Sequence, residues 1–121
     1  MSESNRTHYT VMPIQPIRLI EAYHLDFVQG NIIKYVSRYR NKNGVDDLEK
    51  ALVYCDYGIN RFDRTDTSLD IGGKRSLMVR MYCIVNDLSE TAEMAILYSM
   101  QCEFEKCKDK INELIKEIEK V

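Results

Sequence analysis

The sequence between residues 27 and 62 has the pattern of two amphipathic helices joined by a short polar turn. One face of the first pattern is apolar at helical spacing: Val28, Ile32, Tyr35, Val36 and Tyr39. One face of the second is apolar in the same way: Leu48, Leu52, Cys55, Ile59 and Phe62. Apolar residues three and four positions apart predict helices that bury one side. We therefore expect helices from about 27 to 41 and from about 45 to 62.

Local signals support the ends of these two helices. Asp26 and Gln29 stand three residues apart before the first apolar run, which is typical of a capping box. Gly44 closes the turn at residues 41–44, where glycine can take a left-handed conformation. Asp46 and Asp47 fall in the first turn of the second helix, where the helix dipole favours negative charge.

The C-terminal third carries an apolar seam at alternating spacings of three and four residues. Its members are Leu97, Met100, Phe104, Cys107, Ile111, Leu114, Ile118 and Val121. With Ser89 as N-cap, this heptad pattern predicts one helix of ~30 residues and ~45 Å. Such a helix exceeds what a small bundle needs, so we expect residues 76–121 to form a helical oligomerisation region and the protein to be a homo-oligomer.

The segment between the two halves is less regular. Residues 63–75 are polar and include Gly72 and Gly73, which predicts a loop. Residues 76–88 fit a helix, which we favour, but their alternating apolar positions also fit a strand. The whole pattern predicts an all-α fold: a small helical bundle with a long C-terminal heptad helix, in a single domain spanning residues 1–121.

Composition limits the classes of function. The 121 residues are 45% hydrophobic and 30% charged with a formal net charge of -2, which is typical of a globular protein and makes a nucleic-acid partner unlikely. No apolar run approaches the ~20 residues of a membrane span, and residues 1–10 lack the apolar core of a secretory signal. We expect a cytoplasmic protein without a membrane partner. The four cysteines form no CxxC pair, so buried free thiols are favoured over a metal site.

The two central helices each carry a polar stripe. The first stripe comprises Gly30, Asn31, Lys34 and Arg38, and the second comprises Asp47, Lys50, Tyr54 and Arg61. Cations with amide and phenol groups suit a small anionic ligand such as a nucleotide phosphate, and Tyr54 and Tyr57 could stack on a base. The alternatives to a ligand site are structural. Lys34 and Arg38 would lie on a solvated helix face, a neighbouring helix would pack against Gly30, and Asp47 would interact with the helix dipole. No P-loop motif occurs in the sequence.

Several of these residues resemble the motif of the SaV-like family, phage-encoded proteins of mostly unknown function. The resemblance runs through His8-Tyr9, Pro16-Ile17 with Glu21, Gly30-Asn31-Ile32-Ile33-Lys34-Tyr35 with Arg38, Lys42-Asn43-Gly44, and Asp47-Leu48-Glu49-Lys50-Ala51 with Tyr54. It covers about residues 8 to 60 and so implies that residues 8–62 are the shared helical core. It also implies phage origin and a nucleotide ligand, because one branch is described as a nucleotide kinase without a P-loop.

Three functional hypotheses follow. The favoured one is a phage accessory protein that binds a nucleotide or nucleotide-derived phosphate without turnover and without a cofactor, for instance an anti-defence protein sequestering a host signal. The anion would contact His8, Asn31, Lys34, Arg38 and Lys50, and Tyr54 would contact base or sugar. The first alternative is a nucleoside-monophosphate kinase using ATP, in which Lys34 and Arg38 stabilise the transferring phosphoryl group and Asp47 helps to hold Mg²⁺. The second is a helical adaptor that binds a host protein through the C-terminal seam. Arg38 also has a structural alternative, an ion pair with Asp47 or Glu21.

Overall fold

The computed structural model describes residues 12–40, 44–61 and 73–119. Within these ranges the chain forms six helices and no strand, which confirms the all-α prediction. The helices are α1 (Pro16–Ala22), α2 (Phe27–Arg38), α3 (Val45–Ile59), α4 (Gly73–Val85), α5 (Glu90–Met100) and α6 (Phe104–Glu119). Helix α2 packs on α1, α3 and α5, and α6 packs on α3 and α5, so that one apolar core lies between them.

The start of α2 follows the predicted capping box. The backbone N–H of Gln29 donates to the Asp26 carboxylate at 2.8 Å, and the Asp26 N–H donates to the Gln29 side-chain oxygen at 3.0 Å. Helix α3 begins at Val45 as predicted, and Gly44 before it has the expected positive φ of 54°. Both helices end about three residues earlier than predicted, at Arg38 and Ile59.

The prediction of one long C-terminal helix is wrong. Ser89 does cap a helix, accepting a bond from the Ala92 N–H, but that helix ends at Met100. The N–H of Glu103 donates to the Tyr98 carbonyl at 2.9 Å, and the N–H of Cys102 donates to the Ser99 carbonyl at 3.1 Å. This pair of bonds is a Schellman motif, which requires a left-handed residue. Cys102 supplies it with φ 58°, and the chain turns back into α6.

The bend lets the apolar seam face the chain's own core. Met100, Cys107, Ile111 and Leu114 are all at least 99% buried, and Phe104 is nearly so. The seam is therefore occupied within one copy, which removes the reason for assigning residues 76–121 to self-association. Val121 and residue 120 lie outside the described residues.

Helix α4 confirms the helical interpretation of residues 76–88 over the strand. It begins at Gly73, inside the predicted loop 63–75, whose earlier part lies outside the described residues. The Tyr82 hydroxyl donates to the buried Ser37 hydroxyl at 2.6 Å, which ties α4 to α2. Its other side leaves large apolar side chains exposed, namely Leu77, Met78, Met81, Ile84 and Val85.

Two helical glycines allow close approach of other helices. A Cβ at Gly30 would lie 3.3 Å from Cδ1 of Ile20, so the space beside this glycine is taken by α1, one of the sequence alternatives. A Cβ at Gly58 would lie 2.5 Å from the Phe104 ring, so α6 enters the core against the bare backbone of α3. None of the helices in the described part of the chain is both long and apolar enough to cross a bilayer.

Candidate functional site

The two polar stripes meet on the outer side of the α2–α3 pair. We call this surface the α2–α3 strip and define it by Phe27, Lys34, Tyr35, Lys50, Tyr54 and Tyr57. The strip follows from the helical periods: these positions lie beside the apolar faces of α2 and α3 and remain at least partly open to solvent. An ion pair between the two helices lies at each end of it.

Four aromatic rings form the body of the strip. Tyr35 of α2 stacks on Tyr54 of α3 with ring centroids 6.0 Å apart and planes 17° apart. Phe27 meets Tyr54 edge-on at 5.9 Å, and Tyr57 is tilted against it at 5.8 Å. Phe27 is 74% exposed and Tyr57 is 61% exposed. A patch of exposed aromatic side chains is typical of a surface that binds a ligand or another macromolecule.

Three cations surround the Tyr35 ring. The ammonium nitrogens of Lys34 and Lys50 lie 4.7 Å and 5.6 Å from its centroid, and the Arg38 guanidinium carbon lies 5.4 Å from it. These are cation–π distances. Lys50 is exposed and Lys34 is half-buried. The two lysines come from different helices, so the fold concentrates positive charge beside the aromatic rings.

The turn end of the strip is closed by Arg38 and Asp47. The Arg38 Nε lies 3.4 Å from Oδ2 of Asp47, and the two side chains are 11% and 0% exposed. This is the ion-pair alternative that the sequence left open for Arg38. Asp47 also stands in the first turn of α3. The role of Arg38 as a phosphate ligand stays a prediction.

The opposite end is closed by Arg61 and Asp26, whose Nη1 and Oδ2 lie 3.0 Å apart. The guanidinium also lies over the Phe104 ring, 5.1 Å from its centroid. Its Nε and Nη2 are buried and meet no acceptor among the described residues. A groove of ≈ 510 Å³ opens here, lined by Phe27, Val28, Tyr54, Tyr57, Asn60 and Arg61.

Two further residues, Asn31 and His8, were predicted to contact the anion. The Asn31 amide donates to the Phe27 carbonyl at 2.8 Å, so it satisfies the backbone of α2 at the edge of the strip. His8 lies outside the described residues. The structure thus brings Lys34, Lys50 and Tyr54 together. Sequence reasoning missed Phe27, which it used only to mark a helix start, and assigned Tyr35 to the core. The available signal was that Phe27 and Tyr35 each stand four residues from Asn31, a spacing that places side chains on the same helix face.

The thiols lie away from the strip. Cys55 and Cys107 are both fully buried with their sulfurs 3.6 Å apart. The contact with Cys55 and burial both raise the pKa of Cys107 well above its ordinary value. Burial raises the pKa of Cys83 to about 12. The prediction of buried free thiols is confirmed for these three cysteines and is wrong for Cys102, which is only partly buried. The described ranges contain no group of three or more His, Cys, Asp or Glu side chains that could hold a metal ion.

Comparison with known proteins finds a match over the part of the chain that contains most of the α2–α3 strip. A family model described as a protein of unknown function, DUF3310, matches residues 4–56. The match includes α1, α2 and most of α3, and therefore the strip as far as Tyr54. No curated protein and no solved structure matches the chain. The SaV-like resemblance, which runs over nearly the same residues, stays a prediction.

Proposed function

We propose that this protein binds a nucleotide, or a phosphate compound derived from one, on the α2–α3 strip and releases it unchanged. The observation that carries the proposal is that two ammonium groups lie over the Tyr35 ring, which belongs to the same aromatic cluster as the exposed rings of Phe27 and Tyr57. A base can stack on Phe27 or Tyr57, because aromatic faces accept any base. Lys34 and Lys50 belong to the same strip and would act as point charges for the phosphate.

The ion pair at the turn end favours binding over turnover. The kinase alternative requires Asp47 to help hold Mg²⁺ and Arg38 to contact the transferring phosphoryl group. These two side chains are almost completely buried and bonded to each other. Opening this pair would separate a fully buried carboxylate from a guanidinium, at a cost of about 3–5 kcal/mol. A site that binds without chemistry needs no such opening.

The wider role is proposed from the resemblance. The protein would act as a phage accessory protein in the cytoplasm of the infected cell and remove a host nucleotide signal. The adaptor alternative has less support, because its seam lies in the chain's own core. Self-association stays a prediction, but contacts between two copies that each keep α6 in their own core would have to use surfaces other than that seam. Sedimentation at micromolar concentration measures it directly.

Calorimetric titration with nucleoside monophosphates tests the binding proposal. Lys34→Ala and Lys50→Ala should each weaken binding about ten- to a hundred-fold, since a charged hydrogen bond is worth ~1.5–3 kcal/mol. Lys116→Ala is the matched control, because it removes the same charge from an exposed position on α6. If no mononucleotide binds at millimolar concentration, the proposal is wrong. If ATP and Mg²⁺ convert a monophosphate to the diphosphate, the protein is a kinase instead.

A further inference from the structure

We infer that the exposed side of α4 is a docking surface for the α4 helix of a second copy of this chain, packed antiparallel about a two-fold axis. We call this surface the α4 face and define it by Leu77, Met78, Met81, Ile84 and Val85. It shares no residue with the α2–α3 strip, so the inference does not depend on nucleotide binding. It is also distinct from the C-terminal seam, which is buried within one copy.

Helix α4 is held to its own chain by one side only. Val79, Tyr82 and Cys83 are at least 99% buried, whereas each member of the α4 face is between 42% and 65% exposed. Five of the nine large apolar side chains that are exposed among the described residues stand on this one helix. Single exposed apolar residues are normal on a protein surface, but a contiguous group of them marks an interaction site.

The α4 face keeps its pattern when the helix is reversed. Counted from Met81, its other members stand at −4, −3, +3 and +4. An antiparallel copy with Met81 opposite Met81 therefore sets position 77 opposite 85 and position 78 opposite 84, and every pairing is apolar. A two-fold interface requires such a self-complementary patch, because the same residues serve both copies.

The charges at the two ends of α4 favour the antiparallel orientation. Lys74 and Arg75 stand at its beginning, and Asp87 and Glu90 follow its end. In a parallel pair, positions of like charge would lie beside each other at both ends. In an antiparallel pair, the basic beginning of one helix is level with the acidic positions after the end of the other. Complementary charges of this kind fix the orientation of an interface.

The size of the α4 face fits a dimer that forms reversibly. Five half-exposed side chains make a patch comparable to the largest on a typical monomer, roughly 300–600 Å². Two copies would bury both patches, about 600–1,200 Å² in total, which is the range of transient interfaces and below the roughly 1,600 Å² of standard ones. We therefore expect a dissociation constant in the micromolar range or higher.

Sedimentation velocity between about 1 μM and 1 mM protein tests the inference. The wild type should change from monomer to dimer across this range. Met81→Lys should raise the dissociation constant at least about a hundredfold, because the two-fold axis sets the two lysines against each other. Val53→Lys is the matched control, since Val53 on α3 is 52% exposed and Met81 is 55% exposed. Circular dichroism verifies that each variant folds.

Chemical cross-linking tests the arrangement of the two copies. A short bismaleimide should join Met81→Cys protein through position 81 of both copies, and it should not join Val53→Cys protein through position 53. The wild type measures the background from Cys102, which is only partly buried. Peptide mass spectrometry identifies the linked positions.

Three results would overturn the inference. A wild type that stays monomeric up to about 1 mM would show that the α4 face binds no second copy, whether another segment of the chain or a different protein covers it. A dimer that persists in Met81→Lys would be formed through another surface. A dimer that is lost in Met81→Lys, yet shows no link between the two positions 81, would lack the antiparallel two-fold arrangement. Each of these results leaves the nucleotide proposal standing, and a failure to bind nucleotides would leave this inference standing.

Discussion

Replacement of Arg38 by alanine should unfold this protein more readily rather than merely weaken ligand binding. Arg38→Ala removes the guanidinium from Asp47, whose side chain is completely buried. A buried carboxylate that loses its partner typically destabilises a protein by about 3–5 kcal/mol. Since small domains are stable by only about 5–15 kcal/mol, this loss is a large part of the total.

Urea denaturation followed by circular dichroism measures the effect. With an m-value of about 2 kcal/mol/M, the midpoint should fall by about 2 M. Arg40→Ala is the matched control, because Arg40 pairs with Asp87 while 49% and 86% of these side chains are exposed. Exposed pairs contribute about 0–1 kcal/mol. A double replacement, Arg38→Met with Asp47→Leu, should recover most of the loss, since it leaves no buried charge.

The opposite outcome would refute this reasoning. The sequence alone predicts that Arg38→Ala weakens ligand binding by ten- to a hundred-fold and leaves the fold intact. If the variant loses less than about 1 kcal/mol of stability, like Arg40→Ala, the pair with Asp47 does not hold the two helices together. A simultaneous loss of nucleotide affinity would then return Arg38 to the ligand site.

Further predictions concern packing and the thiols. Gly58→Ala should cost about 1–3 kcal/mol because the added Cβ overlaps the Phe104 ring 2.5 Å away, and the better helix propensity of alanine should offset ~1 kcal/mol of this cost. Gly30→Ala should change the free energy of unfolding in urea by no more than about 1 kcal/mol. Ile111→Lys should give unfolded protein by circular dichroism, not folded monomers, because the side chain is fully buried. An aromatic disulfide reagent at pH 8 should label Cys102 quickly and the buried thiols only on unfolding. Since the folded pKa of Cys83 is about 12 against an ordinary 9.0, its contribution to stability should be complete below pH 9 and be lost as pH rises towards 12 in urea titrations.

The sequence was sufficient where local chemistry decides the structure. The start of α2 follows from Asp26 and Gln29, and the start of α3 from Gly44, because a capping box and a left-handed glycine act within a few residues. The bend after α5 was missed because no such local signal marks it in the sequence. Its left-handed residue is Cys102, and positive φ is uncommon for residues other than glycine. No residue type there marks the end of a helix.

The candidate site was only partly predictable. Helical spacing assigned Lys34, Lys50 and Tyr54 to polar faces, and the structure brings them together. It could not assign the partner of Arg38, since that pair depends on how α3 packs beside α2. Phe27 and Tyr35 were missed because an aromatic ring at the edge of an apolar face fits the core and the surface equally well in sequence. Their exposure is decided only by the neighbouring helix.

The Gln29 side chain controls more than the start of its own helix. Its amide nitrogen donates to the Ser99 carbonyl at 3.1 Å and to the Met100 carbonyl at 3.0 Å. In a continuous helix through residues 101–103, those two carbonyls would accept the N–H groups of residues 103 and 104. Gln29 therefore competes with the straight form of the C-terminal segment, which the unbroken heptad spacing otherwise permits.

This competition bears on domain swapping. If the bend straightened, α6 would leave its own core and could fill the vacated place in a second copy, because hinge segments allow the exchange of identical elements. The contacts of α6 would be the same in both forms, so the balance depends on the hinge. The two hydrogen bonds from Gln29 should therefore favour the closed α5–α6 hairpin over the straight form that a swap requires.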